Sequence, residues 1–231
     1  MKIAIHQPNF LPWLGYFYKM AMSDHFVFYD SAEYTKKSFI RRVKIHHPAN
    51  YNLEKYLIVP LKRHSDFSSI NELSFLEDEA WSRKIKSYIH QAYHKAPFYF
   101  QLEVILDNIS CQHTEYNLSE YNIRLIQLVA DTLDITKPYS LTSTMNITEK
   151  KARANIQICK NVGATKYISG YGAKKYQEDN QYQENGIQME YSDFYNRWDK
   201  LNIPEDFKYK SIISHLACFP INFLKENLFN Q

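Results

Sequence analysis

The chain has 231 residues, of which 45% are hydrophobic and 23% charged, a balance that excludes a disordered chain and is ordinary for a globular protein. Its net charge of +3 leaves too small an electrostatic footprint to indicate a nucleic-acid binder. The three cysteines have neither a metal-binding nor a redox spacing, and their odd number argues against a disulfide framework. We therefore expect reduced thiols and no metal site.

No segment of the sequence predicts a passage through a membrane. The longest nearly apolar run, residues 10–17, is far shorter than the ~20 residues that span a bilayer. The apolar run after Met1 is too short for the core of a signal peptide. The sequence thus predicts a cytoplasmic protein.

The first thirty residues predict the opening of a parallel α/β sheet. The predicted order is strand, loop, helix and strand, at residues 2–6, 7–12, 13–23 and 25–30. Pro8 and Pro12 lack a backbone N–H donor, so the segment that contains them is expected to be a loop. Apolar residues then recur at helical spacing, and the second strand ends on Asp30.

The middle of the chain changes from strand-like to helical patterns. The expected strands lie at residues 39–45, 56–60 and, more weakly, 70–75. Apolar stripes predict two long helices after them, at residues 77–94 and 118–133. We expect this helical block, at about 77–134, to form an insert or a small subdomain.

The last third returns to alternating strands and helices. It predicts a strand, a helix, a strand and, beyond a polar helix, a final strand, at residues 139–143, 148–162, 166–169 and 187–191. Gly163 lies where a helix-ending glycine belongs, and Gly186 is expected in a turn. These repeats favour one α/β domain over residues 1–231, with a Rossmann-like, mostly parallel sheet and flanking helices.

Ligands of open α/β sheets bind where the carboxyl ends of the strands converge, so we expect function there. His6 ends the first strand and suits a general base or a phosphate contact; alternatively, His6 and Gln7 only satisfy backbone groups of the turn. Gln7 and Asn9, in the same loop, are candidate substrate contacts. Asp30 ends the second strand and suits a metal, a ribose or an amine, or else it caps a turn.

The densest basic run of the sequence lies between residues 36 and 44. Lys37 and Arg42 within it suit a phosphate-bearing ligand, because charge-assisted hydrogen bonds to phosphate are strong. An edge strand also carries such charges simply to deter aggregation. Both interpretations stay open at this point.

Two later strand ends complete the set of candidate positions. Ser143 ends the strand at residues 139–143, and Ser169, Gly170 and Gly172 follow the strand at 166–169. Small residues there allow backbone N–H groups to approach an anion. The sequence has no Walker A, GxGxxG, GxSxG, HExxH or zinc-binding pattern, so no reaction follows from motifs alone.

Several segments together resemble a known protein family. They are the stretch His-Gln-Pro-Asn-Phe-Leu-Pro-Trp-Leu-Gly-Tyr-Phe at 6–17, Phe-Val-Phe-Tyr-Asp at 26–30, the positions Lys37, Phe39 and Arg42, and the segment at 158–170. They are similar to the WbqC-like protein family, whose members occur in gene clusters for O-antigen and other surface glycans of lipopolysaccharide. The resemblance covers most of residues 3–191.

The resemblance implies a transferase that places glycine or another small acyl group on the amine of a nucleotide-linked amino sugar. The acyl donor stays open between free glycine with ATP and magnesium, an aminoacyl-tRNA and a thioester; apart from such a tRNA, no nucleic-acid partner is expected. A second interpretation is a non-catalytic nucleotide-sugar or glycan binding protein of the same pathway, and a third is a structural scaffold. A looser, fold-level likeness to adenylate-forming nucleotidyltransferases such as pantothenate synthetase lacks their histidine motif at the helix start.

The implied transferase assigns a role to each candidate. His6 is the base that takes the amine proton, and Asp30 orients the amine or the sugar hydroxyls. Lys37 and Arg42 anchor the diphosphate, and backbone N–H groups around Gly170 and Gly172 hold an oxyanion or phosphate.

The chain departs from the family pattern near its end. Ser214 occupies a position where the family typically carries Asp. If that acidic residue takes part in activity, this member has a changed substrate or reduced activity.

Overall fold

The computed structural model describes residues 1–110, 112, 116–170 and 179–226. The strands described are β1 (Lys2–His6), β2 (His25–Phe28), β3 (Arg42–His47), β4 (Asn50–Ile58), β5 (Tyr139–Leu141), β6 (Lys166–Ser169) and β7 (Gln188–Tyr191). Five of them form a parallel sheet in the order β5–β2–β1–β6–β7, and β3 and β4 form a separate antiparallel pair. The predicted Rossmann-like, mostly parallel sheet is confirmed.

Helices cover both faces of this sheet. Those described are α1 (Leu14–Ala21), α2 (Glu79–Tyr93), α3 (Glu103–Asn108), α4 (Leu118–Thr132), α5 (Lys151–Asn161), α6 (Asp179–Glu184), α7 (Phe194–Trp198), α8 (Ile212–Cys218) and α9 (Ile221–Leu224). None of them is both long enough and apolar enough to cross a membrane.

The alternation of side chains along the strands builds two cores. Phe26 and Phe28 of β2 join the larger core with α1, α2 and α4, whereas Val27 joins a smaller core on the opposite face. Ile3 and Ile5 of β1 also belong to the smaller core, together with residues of α5 and α6. Central strands buried on both faces are expected of a parallel sheet covered by helices.

The weak strand expected at residues 70–75 is wrong. Residues Ile70–Glu72 form a 3-10 turn, which begins with a reciprocal cap in which the Ser69 backbone N–H donates to the Glu72 carboxylate at 2.9 Å. The cap signal of Ser followed three residues later by Glu outweighs the short apolar alternation. Phe75 forms only an isolated antiparallel bridge with Leu61.

The hairpin strands also begin at positions other than those expected. β4 begins at Asn50 rather than at residue 56: Tyr51 and Leu53 alternate with polar residues as in a strand, but residues 50–54 are exposed and the alternation is short. Its pairing with β3 is set by backbone hydrogen bonds along both strands instead.

Candidate functional site

A large cleft lies where the order of the parallel strands reverses, between β1 and β6. From β1 the chain continues to β2 on one side, and β6 lies on the other side. The loops after β1 and β6 therefore diverge and leave a crevice at the carboxyl ends of the strands. This main cleft encloses about 1050 Å³ and is lined by His6 and Gln7 after β1, Ser169 and Gly170 after β6, and the start of α5.

His6 presents one free ring nitrogen to this cleft. Its Nδ1 donates to the Gln7 carbonyl oxygen at 3.1 Å, and since a carbonyl only accepts, Nε2 carries the lone pair. No described residue forms a hydrogen bond with Nε2. Burial and the positive charge of Lys19 lower the pKa of His6 from 6.5 to about 3, although the Gln7 contact raises it. The imidazole is therefore neutral at physiological pH and able to accept a proton.

Lys19 is the residue of the main cleft that the sequence did not single out. It lies on α1, its side chain is only 6% exposed, and its Nζ donates to the Ile5 carbonyl oxygen at 2.7 Å. Burial lowers the pKa of this amine from 10.5 to about 7. The available signal was a single lysine inside an otherwise apolar and aromatic helix.

The first turn of α5 brings positive charge to the opening of the main cleft. Lys150, Lys151 and Arg153 line it, are exposed, and form no ion pair with a described residue. The N-terminus of a helix is already the positive end of its dipole and normally favours acidic side chains. Three cations at this position raise the energy of the free protein and indicate a site for an anion.

Ser169 supplies a second, independent polar group in the main cleft. Its side chain is 1% exposed, and its hydroxyl forms no hydrogen bond with any described residue. A hydroxyl that lines the cleft and has no described partner is available to a ligand that accepts or donates a hydrogen bond. Gly170, beside it, has open space around its Cα.

The loop between β1 and α1 is held firmly by three other parts of the fold. The buried Asn122 amide of α4 donates to the Pro8 and Ile40 carbonyl oxygens, at 2.9 and 2.7 Å. The Ser211 hydroxyl, at the start of α8, donates to the Leu11 carbonyl oxygen at 2.8 Å. His6 and the loop residues after it are thus preorganised rather than free to adjust.

Asn9 of this loop faces a second, smaller cavity instead of the main cleft. The cavity encloses about 280 Å³ and has mainly apolar and aromatic walls, including Trp13, Phe39 and Tyr209. His6 lines both spaces, so the two meet at its ring. We refer to the smaller space as the ring cavity.

Asp30 and Ser143, expected near the active centre, are bonded to each other. The Asp30 carboxylate accepts from the Ser143 backbone N–H at 2.8 Å, from the Ser143 hydroxyl at 2.5 Å and from the Thr142 hydroxyl at 3.0 Å. Asp30 is 3% exposed and does not line the main cleft of the described residues. The contacts join the end of β2 to the end of β5, as a turn-capping carboxylate does. A catalytic role for Asp30 remains a prediction.

Arg42 is the first residue of β3 and Lys37 lies in the segment before it, both outside the described lining of the main cleft. The Arg42 guanidinium donates to the Lys37 carbonyl oxygen at 2.5 Å and lies 4.9 Å from the ring centre of Tyr56. These contacts are those of a structured hairpin surface. Their predicted role in binding a diphosphate stays a prediction, and Gly172 lies outside the described residues.

The described residues hold no cluster of three or more His, Cys, Asp or Glu side chains arranged for a metal ion. Ser214, at the position of the departure from the family pattern, is fully buried, and its hydroxyl lies 2.6 Å from that of Tyr93. Tyr93 also receives the backbone N–H of His46. This buried network lies apart from the described lining of the main cleft.

Comparisons with known proteins agree with the resemblance seen in the sequence. The WbqC-like protein family matches residues 7–221. A Mycobacterium tuberculosis (strain ATCC 25618 / H37Rv) protein, called uncharacterized protein Rv1507c, is 25% identical over 193 residues, which cover 84% of this chain and 82% of that protein. No solved structure matches the chain significantly.

Proposed function

The chain belongs to the WbqC-like protein family, and on that premise we propose that it transfers glycine or another small acyl group to the amine of a nucleotide-linked amino sugar, in O-antigen or other surface glycan synthesis. The observation that carries the proposal is the main cleft, in which a free imidazole nitrogen, a buried amine and an anion-favouring helix start face one space. Its volume is at the upper end of the roughly 300–1,000 Å³ of ligand sites, as a ligand of several parts requires.

The charges of the main cleft support a phosphate-bearing substrate. Lys19, Lys150, Lys151 and Arg153 line it against one carboxylate, that of Glu149, among the described residues. We assign the diphosphate to the start of α5 and the Ser169 hydroxyl, rather than to Lys37 and Arg42. A diphosphate there receives backbone N–H groups, the helix dipole and three unpaired cations together.

The proposed reaction forms one amide bond. The nitrogen of the sugar amine bonds to the carbonyl carbon of the acyl donor, and the bond from that carbon to its leaving group breaks. The amine proton passes to Nε2 of His6 and from there to water, while the leaving group departs with the electron pair. The donor class stays open between an adenylate made with ATP and magnesium, an aminoacyl-tRNA and a thioester.

Substrate binding adjusts the two titratable groups of the cleft. A bound diphosphate places negative charge near Lys19 and His6, which favours their protonated forms and raises both pKa values. The pKa of His6 then moves from about 3 toward the neutral range, where a general base is most effective. The low pKa of the free enzyme is thus compatible with base catalysis in the complex.

The experiment is a mass-spectrometric screen of the purified protein. Reactions contain glycine, ATP and magnesium, or glycyl-tRNA or a glycyl thioester, with UDP- and dTDP-linked amino sugars. The proposal expects one sugar to gain the mass of a glycyl amide, and the same mixture with His6→Ala protein to show none. Tight binding of a nucleotide sugar without any product from all three donor classes would instead favour the non-catalytic binding protein.

A further inference from the structure

The ring cavity contains an amide that no described residue engages. Asn9 is 7% exposed and lines this cavity, and no described residue hydrogen-bonds to its side chain. A primary amide offers two donors and one acceptor oxygen. These groups are therefore available to a ligand in the cavity, which can form hydrogen bonds with them without displacing a contact between described residues.

The walls of the ring cavity favour a flat group with an apolar face. Trp13, Phe39 and Tyr209 line it, and the Trp13 and Tyr209 ring centres lie 6.0 Å apart at an angle of 37°. Aromatic walls of this kind pack against the faces of other rings. No Lys, Arg, Asp or Glu side chain is among its described lining residues, so a charged group would lie there unpaired at high cost.

The Trp13 indole occupies space that is open only because residue 15 is glycine. A Cβ added to Gly15 would lie 2.5 Å from two carbons of the indole, closer than real atoms approach. The ring therefore lies directly over the Gly15 backbone, in space that only glycine leaves open. Phe194 also contacts the indole, in an edge-to-face arrangement with ring centres 5.1 Å apart.

From these contacts we propose that the ring cavity binds the flat, uncharged ring of the substrate, with the Asn9 amide on the edge of that ring and Trp13 along its face. Its 280 Å³ suits one ring rather than a whole nucleotide sugar. The inference rests on the proposed function, which places the diphosphate of the same substrate in the main cleft. His6 lies where the main cleft and the ring cavity meet. The ring is the nucleobase, because a pyranose is not flat and the amine of an amino sugar carries a charge near neutral pH.

Tryptophan fluorescence tests the ring cavity directly. Of the three tryptophans, Trp81 and Trp198 are buried and Trp13 is partly exposed at the cavity. UDP-glucosamine, uridine and D-glucosamine are titrated separately against the full chain. We expect UDP-glucosamine and uridine to quench the emission, and Trp13→Phe to abolish that change. D-glucosamine is the control, because its ring is charged and not flat, and we expect it to cause no quenching.

The variant Asn9→Leu separates a binding role from a structural one. Leucine has nearly the same shape but no hydrogen bonds, so we expect about a tenfold or greater loss of affinity with an unchanged or raised Tm. Asn122→Leu is the matched control: its amide holds two carbonyl groups of the protein, so its Tm falls. Gly15→Ala, which displaces the indole, is expected to weaken the same ligand.

Three outcomes would overturn the inference: no quenching by UDP-glucosamine or uridine, equal affinity in Asn9→Leu, or a Tm loss in Asn9→Leu like that of Asn122→Leu. This test can be distinguished from that of the acyl transfer. Quenching that depends on Asn9, without amide product, would support ligand binding in the ring cavity and contradict the transferase. Amide product with an unchanged KM in Asn9→Leu would support the transferase and contradict ligand binding by Asn9.

Discussion

Two neighbouring titratable side chains, His6 and Lys19, determine what the main cleft can do. Both pKa values lie below their ordinary ones: burial and the charge of Lys19 lower the pKa of His6 to about 3, and burial lowers the pKa of Lys19 to about 7. The charge of Lys19 contributes to the low pKa of His6. Such perturbed groups in a cleft are typical of functional sites, although structural networks also produce them.

Replacing His6 by alanine is expected to affect chemistry and not binding. Loss of a general base lowers kcat by about 10²–10⁴-fold, while the diphosphate contacts at α5 remain and KM changes little. Steady-state kinetics with the acceptor found in the mass-spectrometric screen gives both constants. Turnover equal to that of the wild type would show that another group, with Lys19 the nearest alternative, takes the proton.

Replacing Lys19 by methionine is expected to raise stability at neutral pH. Burial lowers the pKa of Lys19 from 10.5 to about 7, so the unfolded chain binds a proton that the folded chain releases between these values. The folded wild type therefore gains stability as pH rises from 7 toward 10.5, and the cost of burying the amine is on the order of 4 kcal/mol at pH 7 and below.

The measurement is the Tm of both proteins across that pH range. The gain from Lys19→Met is expected to be largest near pH 7 and to shrink toward pH 10, at the expense of activity. A gain that stays constant with pH, or a loss at pH 7, would contradict the buried-amine account.

At the scale of single elements, the most informative one is α5. Its first turn carries Lys150, Lys151 and Arg153 and no acidic residue, the opposite of what a helix dipole favours. The Lys151 backbone also has a φ of +54°, a left-handed conformation that costs energy for a residue other than glycine. Both features are unfavourable in the free protein, and the anion proposed to bind here would offset the charge of the three cations.

Arg153→Glu is expected to change stability and anion binding in opposite directions. An acidic residue near the start of α5 stabilises the free protein by about 0.3–1 kcal/mol, whereas the Tm increase caused by inorganic pyrophosphate becomes smaller. The matched control is Lys160→Glu, the same change of charge in the last turn of α5 and outside the described cleft lining. An equal pyrophosphate-induced increase of Tm in the two variants would contradict an anion site at the start of α5.

Some helices and strands could be predicted from the sequence and others could not. β1, β6 and α4 were predicted nearly residue by residue, because their apolar patterns are long or bounded by clear turn residues. In the exposed half of β4 only Tyr51 and Leu53 alternate with polar residues, a pattern too short to predict the strand, and the turn at residues 70–72 is decided by a cap. Local sequence predicts the helices and the buried strands, whereas the hairpin depends on backbone pairing between β3 and β4.

At the scale of the whole molecule, the candidate site was predicted only in part. His6, Gln7, Ser169 and Gly170 were found because the ends of parallel strands meet at one edge of a sheet. The start of α5 reaches the same place through a crossover of the chain from β5 to β6, and Lys19 through the packing of α1. These are tertiary relations, which spacing along the sequence does not encode.

The tertiary arrangement also explains why the basic run at residues 36–44 was the more visible candidate. Density of charge along the sequence marked Lys37 and Arg42, yet the fold places them on a hairpin beside the sheet, with Arg42 engaged by Tyr56. The cations at the start of α5 are fewer, but they line the main cleft, at the edge of the sheet where the strand order reverses. Position relative to the sheet distinguishes the two groups.

The crystal structure of a complex with uridine diphosphate tests this placement most directly. The account predicts both phosphates in the main cleft, with oxygens within hydrogen-bond distance of the backbone N–H groups at the start of α5 and of the Ser169 hydroxyl. It also predicts an Arg153 or Lys150 side chain paired with the phosphates. A diphosphate bound instead at Lys37 and Arg42, with the main cleft empty, would contradict it.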